Sequence, residues 1–363
     1  MDNLVVKPAV SAEEQDMAYR LALRVFKAQT AMEDYAEHKS FVWEADPSFS
    51  KENILQACIG DELVGLIRLV PRILCRGEET YSVAGISSVC IAPEWQGKGL
   101  SNGLMQQSLE ICRSRDYDIS FLFARRAADH YYTRFGFYGI ASYAKVFIKR
   151  PADIQPSKQF SLVAADSSLS LLYQTVYENC YQNCFGRIDR SKTYWKFLLT
   201  AISKRKDLRF LTIYFNGTAV GYVLAGETKI LEIAVNDSIS GIDLIHFLMN
   251  ENLVPDTDNK LEIEILPQHG LIPSLRNLDI VFQYRECTYG GHMAKILNTE
   301  SVISKLTKRS PLLAKELAGL TDKEILSYAE TCSLLGVLSP TALDNMNGNK
   351  NCLPFDICSA DHF

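Results

Sequence analysis

The chain has 363 residues, 47% of them apolar, and carries 38 Lys and Arg against 43 Asp and Glu, for a net charge of −5. That size and apolar share suit two or three packed domains, and the acidic balance speaks against nucleic acid as the main partner while suiting a cationic small substrate. No apolar run is long enough for a membrane helix, and the first residues read as a polar-flanked strand rather than a leader peptide, so no membrane partner is expected.

The chain opens with a short strand, Leu4 to Lys7, and a stretch whose periodicity predicts a helix over 12–26. A second short helix is expected over 31–38, before a loop through Trp43 and Pro47. A hairpin follows, with strands at 54–59 and 64–70 around a turn at Gly60-Asp61. A second turn at Arg76-Gly77-Glu78 leads into a long strand over 82–91. After a loop, a helix runs to about Arg113 with Leu100, Leu104, Met105, Leu109 and Cys112 on one face. A buried strand at 119–123, a short helix near 127–137 and a strand at 144–148 complete the first unit.

The most informative stretch is Val89-Cys90-Ile91-Ala92-Pro93-Glu94-Trp95-Gln96-Gly97-Lys98-Gly99-Leu100-Ser101. An apolar strand enters a glycine-rich turn with one lysine, and an amphipathic helix starts at once. Such a junction aims backbone N–H groups and the positive end of the helix dipole at one spot, which suits a diphosphate. It is neither a Walker A loop nor Gly-x-Gly-x-x-Gly. Gln96-x-x-Gly99-x-Ser101 resembles the Q/R-x-x-G-x-G/A signature of the GNAT superfamily of N-acetyltransferases, with Ser101 where Gly or Ala is expected. Tyr132-x-x-x-Gly136-Phe137 resembles the same family's second signature, a short helix ended by glycine.

The resemblance implies an α/β (α+β) fold of the acyl-CoA N-acyltransferase type, with acetyl-CoA as cosubstrate and no metal. It places the pyrophosphate on Gln96, Gly97, Lys98, Gly99, Leu100 and Ser101. The backbone of Val89, Cys90 and Ile91 then serves the pantetheine arm and the thioester oxygen. Tyr132 becomes the candidate general acid, since a phenol near pKa ~10 can protonate a departing thiolate. Tyr131 is the fallback, and both also read as core aromatics.

Pro151 and Pro156 mark a linker, and beyond it the pattern partly repeats. Ile213 to Leu224, with Val220-Gly221, reads like Ala57 to Arg68, with Val64-Gly65. A helical stretch, 169–179, precedes it; a strand, 230–235, and a helix, 241–249, follow, without the glycine loop. Residues 1–150 thus read as an acetyltransferase domain and 151–296 as a degenerate second copy, with an unrelated α+β domain the alternative. Residues 297–363 read as a helical segment, over 300–307, 311–318 and 321–335, with a capping box at Thr321-x-x-Glu324. A polar loop over 345–351 precedes an apolar tail.

This tandem order is similar to the Eis-type acetyltransferases, in which the chain's terminal carboxylate acts as base. The resemblance implies that role for Phe363, with His362 the alternative base. The roughly 70 residues after the second unit are too few for the third domain of usual size in that group, so homo-oligomer or monomer stays open. Glu33, Asp34, Trp43 and Glu44 are candidates for holding the small-molecule amine. The ten cysteines are scattered and read as reduced thiols of a cytoplasmic protein; neither Cys180-x-x-x-Cys184 nor Cys352, Cys358 and His362 has zinc spacing. Competing readings are a non-catalytic acyl-CoA-binding protein and an acyltransferase with another donor. The phosphate loop and the acidic charge disfavour an aminoacyl-tRNA donor.

Overall fold

A computed structural model describes residues 4–26, 43–76, 78–124, 128–139, 143–151, 157–182, 184, 187–254, 260–265, 269–275, 278–285 and 291–308. Alternating apolar residues form strands, helically spaced ones form amphipathic helices, and the two assemble into a pair of sheets with helices on their faces. The first part gives β1 (Leu4–Pro8), α1 (Ala12–Phe26), β2 (Ile54–Ile59), β3 (Glu62–Arg76) and β4 (Glu79–Ile91). It continues with α2 (Leu100–Ser114), β5 (Ile119–Ala124), α3 (Asp129–Thr133) and β6 (Tyr138–Gly139). Next come β7 (Tyr143–Lys149), β8 (Phe160–Ala164), α4 (Ser170–Tyr181), β9 (Arg187–Ile188) and α5 (Lys192–Ser203). The chain then forms β10 (Arg209–Phe215), β11 (Thr218–Ala225), β12 (Ile230–Val235), α6 (Gly241–Asn250) and β13 (Lys260–Glu264). It ends, as described, with β14 (Ile280–Arg285), β15 (Gly291–Ile296) and α7 (Thr299–Thr307).

The first sheet runs β1-β2-β3-β4-β5-β15-β6, and the second β8-β10-β11-β12-β13-β7-β14. The two orders match position by position, and in each the fourth and fifth strands are parallel. The sixth strand of each sheet comes from the other half of the chain. The strand expected to close the first unit does form, but β7 pairs with β13 and β14 in the second sheet. Its place beside β5 is taken by β15, with Gly291 opposite Ala124 and Ile296 opposite Ile119. Local pattern predicts a strand but does not specify which of two open apolar edges it will join.

One core lies between the first sheet and α2, where Leu104, Met105, Leu109 and Cys112 meet Ile67, Ile86 and Leu122. On the opposite face, Ala18, Tyr19 and Leu21 of α1 pack with Trp43, Leu66 and Cys90. The start of α1 is fixed by a capping box: Ser11 Oγ accepts from Glu14 N–H at 3.0 Å, and the Glu14 carboxylate accepts from Ser11 N–H at 3.3 Å. α7 docks at the start of β5, where the Asp118 carboxylate takes Lys305 Nζ at 2.6 Å and Ser301 Oγ at 2.5 Å. Among the described residues no helix is long and apolar enough to cross a membrane. The helices expected over 31–38, 311–318 and 321–335, the capping box at Thr321 and Glu324 and the loop over 345–351 lie outside the described residues.

Candidate active site

β4 pairs with β5 from Val83 to Ile86 and then parts from it, while its other edge stays with β3 as far as Ile91. At the parting point Ser88 and Val89 lie opposite the single residue Ile67, and Ser88 has φ 52°. This is a β-bulge, which bends a strand and re-aims its backbone. The left-handed conformation costs a non-glycine residue about 1–2 kcal/mol, strain of the kind found at functional sites.

The Ala92 N–H donates to the Val64 carbonyl at 2.8 Å. Backbone groups alternate along a strand, so Ile91 turns its N–H and C=O, and Val89 its C=O, toward the gap left by β5. There the Ile91 carbonyl accepts Gln96 Nε2 at 3.0 Å. Gln96 therefore braces the loop against the strand. A Cβ at Gly65 would lie 2.8 Å from the Cys90 carbonyl oxygen and 2.6 Å from Ile91 Cδ1. Glycine is what lets β3 run this close beneath the strand.

After a 3₁₀ turn at Pro93–Trp95, Gly97 and Gly99 both adopt φ 76°, and α2 starts at Leu100. The backbone N–H groups of Gly97, Lys98, Gly99, Leu100 and Ser101 donate to no described residue. α2 has no side-chain N-cap and no acidic residue in its first turn. Five free N–H groups at a helix N-terminus form a cradle for an anion. Lys98 sits 4.1 Å over the Trp95 ring, beside the cradle.

α3 carries the tyrosines. Tyr131 Oη donates to the Ser101 carbonyl at 2.6 Å, tying α3 to the first turn of α2. The Tyr132 ring packs edge-on against Tyr131 and Phe137, and its hydroxyl makes no hydrogen bond with a described residue. Burial, with a smaller push from Tyr131, raises Tyr132 to about 12. It stays protonated at neutral pH, so it is suited to donate. Of the two tyrosines, Tyr131 is committed to structure. Cys90 points into the core against α1, and burial pushes its thiol to about 12, so only its backbone serves the site. An open cavity of about 400 Å³ lies along the later turns of α2, lined in part by Leu109, Arg113, Arg134 and Lys295. Arg134, just after α3, reaches Asn102 Oδ1 of α2 at 3.4 Å.

Trp43, expected to contact substrate, is 2% exposed. Its ring packs edge-on against Tyr19 and lies under Arg68, so it forms the core beside the gap instead of facing it. Its place beside acidic residues is what suggested a site for a cationic amine. Glu44 accepts from Gln15 Nε2 at 2.9 Å. Glu33, Asp34, His362 and Phe363 lie outside the described residues. Among the described residues no His, Cys, Asp and Glu group is arranged for a metal. Sequence reasoning passed over the Ser88 bulge and the buried cluster of Asp46, Arg68 and Arg72. Two arginines four apart in an otherwise apolar strand were the available signal for the cluster.

Residues 8–141 match the family model for the acetyltransferase (GNAT) domain. That segment is similar to a GNAT acetyltransferase domain. GNAT acetyltransferases are N-acyltransferases that use acetyl-CoA as cosubstrate. The fold is similar to a GCN5-related N-acetyltransferase from Anabaena variabilis, at 18% identity and TM-score 0.60, over 83% of this chain and 74% of that one. It is similar to a GCN5-related N-acetyltransferase from Kribbella flavida, at 16% identity and TM-score 0.61, over 84% and 74%. It is also similar to Eis1 from Mycobacterium abscessus, at 15% identity and TM-score 0.55, over 84% and 76%. Among curated protein sequences no match was found. The matched segment holds the cradle, the parted strands and Tyr132, and it ends before β7.

Proposed function

We propose that the protein is an acetyl-CoA-dependent N-acetyltransferase that acetylates a small amine by direct transfer. The observation that carries this is the run of five N–H groups without a described partner at the end of a strand that has parted from its neighbour, with Tyr132 packed on Tyr131, whose hydroxyl binds the same helix turn.

Gly97 to Ser101 would hold the pyrophosphate, and the gap-side backbone of Val89 and Ile91 would align the pantetheine arm and polarise the thioester oxygen. Cys90, buried and protonated, is a poor candidate for carrying an acyl group, which favours direct attack by the amine. As the amine attacks, the carbon–sulfur bond breaks and Tyr132 gives its proton to the leaving sulfur. Six described cysteines are free thiols, which supports a cytoplasmic setting.

Purified protein, acetyl-CoA and a panel of amines should release coenzyme A thiol, with initial-rate lines that intersect when both substrates are varied. Parallel lines would indicate an acyl-enzyme. Tight donor binding without turnover on any amine would favour a binding protein. A much higher rate with a longer acyl-CoA would reassign the donor. Adding one residue after Phe363 tests the expected terminal carboxylate: an unchanged rate removes it.

A further inference from the structure

The cradle and α2 lie on one face of the first sheet, so an acyl group carried through the gap between β4 and β5 meets its acceptor on the α1 face. Arg68 stands on that face. It is directly across β3 from Ser87, the first residue of β4 beyond its pairing with β5. It is 5% exposed, and its guanidinium lies 5.5 Å from the Trp43 ring centroid, within the cluster that packs on α1.

Two guanidinium groups share one carboxylate here. Asp46 is held by Arg72 at 3.2 Å on Oδ1 and 2.7 Å on Oδ2, and by Ser48 Oγ at 2.7 Å. Burial alone would raise the Asp46 carboxyl, but Arg72 and Ser48 outweigh it and keep it ionised. Arg68 reaches the same carboxylate through Nη2, at 3.4 Å, and its Nε and Nη1 make no hydrogen bond with a described residue. A buried cation with five N–H donors and one long contact is under-satisfied, and such a group costs free energy unless something completes it. Burial brings Arg68 down to about 10, with Asp46 opposing and Arg72 adding to the fall, so it remains charged at neutral pH.

We propose that Arg68 binds a carboxylate of the acceptor, so that the amine acetylated belongs to a molecule of the amino-acid class. The planar fork of a guanidinium matches a carboxylate in two parallel hydrogen bonds, and a buried site strengthens them. This rests on the acyl-transfer reading above and narrows its substrate.

The test uses the full chain, acetyl-CoA and matched pairs of amines: lysine with 1,5-diaminopentane, and phenylalanine with 2-phenylethylamine. Wild-type protein should favour the acid of each pair by about tenfold or more in kcat/KM. Arg68→Met should collapse that ratio toward one without lowering the melting temperature, since it removes a half-matched buried charge and leaves Asp46 paired with Arg72. Arg68→Lys should keep part of it. No preference in the wild type, or a preference that survives in Arg68→Met, overturns the proposal. A lower melting temperature with equal loss on both members of each pair also overturns it, in favour of a structural arginine. Failure of every amine of either kind to release thiol sinks the acyl-transfer reading itself, and the carboxylate site with it.

Discussion

At Ile91 the strand carbonyl that faces the parted edge takes an amide from Gln96, a residue of its own loop. At the matching position of the second sheet, Val235, the carbonyl takes the Cys180 thiol from α4 at 3.3 Å. The match is fixed by geometry. Ala92 N–H to Val64 and Asn236 N–H to Val220 are the same bond, at 2.8 and 2.9 Å. Gly65 and Gly221 both allow a close approach, since a Cβ at Gly221 would lie 2.2 Å from the Ala234 carbonyl oxygen. Two residues back, the Ile233 carbonyl is met by His269 Nε2 at 3.0 Å, whereas the Val89 edge in the first sheet has no such partner among the described residues. The helix that follows differs as well. Ser240 Oγ caps α6 by accepting from Asp243 N–H at 3.3 Å, and Asp243 puts a negative charge in its first turn. A Cβ at Gly241 would strike Ser274 Oγ at 2.0 Å. The second unit keeps the strand order of the first and satisfies internally the groups that the first leaves open. Under β12, Glu232 is locked to Arg190 by hydrogen bonds of 2.6 and 2.8 Å in a fully buried pair. The first unit's Arg68, by contrast, is left half-matched.

The second unit nevertheless shapes the site, because it lends β15 to the edge of β5. The largest effect should follow from separating the units. A fragment ending at residue 150 would lack β15 and would carry β7 with no sheet to join, leaving an apolar edge exposed. It should be poorly soluble and show no measurable thiol release. An active, soluble fragment would show that the exchange is dispensable.

Next in size is Tyr132→Phe. The phenyl ring keeps its packing on Tyr131 and Phe137, so the fold should hold, while kcat should fall about 10²- to 10⁴-fold. Tyr131→Phe loses the bond to Ser101 and should act mainly on donor KM. Equal effects on kcat would erase the division of labour between the two. With Tyr132 at about 12, no loss of rate from its ionisation is expected below pH 11.

Much of this was legible in the chain. The strands over 54–59 and 82–91 follow from alternation, the glycine turn from two glycines before an amphipathic run, and the hairpin of β10 and β11 from its Gly-containing turn and Val-Gly step. The rest depended on long-range packing. Nothing local says that β7 leaves its own unit, that Ser88 forms a bulge, or which tyrosine of an adjacent pair has its hydroxyl tied up. Trp43 reads as a candidate amine contact until Arg68 and Tyr19 close over it.

Acid should separate the two units more gently. His269 is fully buried against Ile233, and burial brings it down to about 4. Unfolded, it titrates near 6.5. Above that pH it is neutral in both states. As the pH falls from 6.5 to 4 the unfolded chain gains a proton that the folded chain refuses, and stability drops by up to about 3 kcal/mol before levelling off. His130, beside the first unit's candidate tyrosines, is exposed. A melting curve in this window should therefore show the second unit failing first, and His269→Gln should flatten the pH slope. A slope unchanged by that substitution would place the acid-sensitive group elsewhere.

The smallest effect belongs to Lys98. Its ammonium rests on the half-buried Trp95 ring and faces solvent, where charge is screened within about 8–10 Å at ordinary salt. The backbone N–H groups beside it are fixed by the loop and need no side chain. If the cradle is what distinguishes the first unit from the second, Lys98→Gln should raise donor KM only about two- to fivefold, with less change at high salt. Loss of binding as severe as that from a bulky residue at Gly99 would shift the weight from backbone to lysine. The absence of a glycine loop in the second unit would then explain less of its silence than the absence of that one charge.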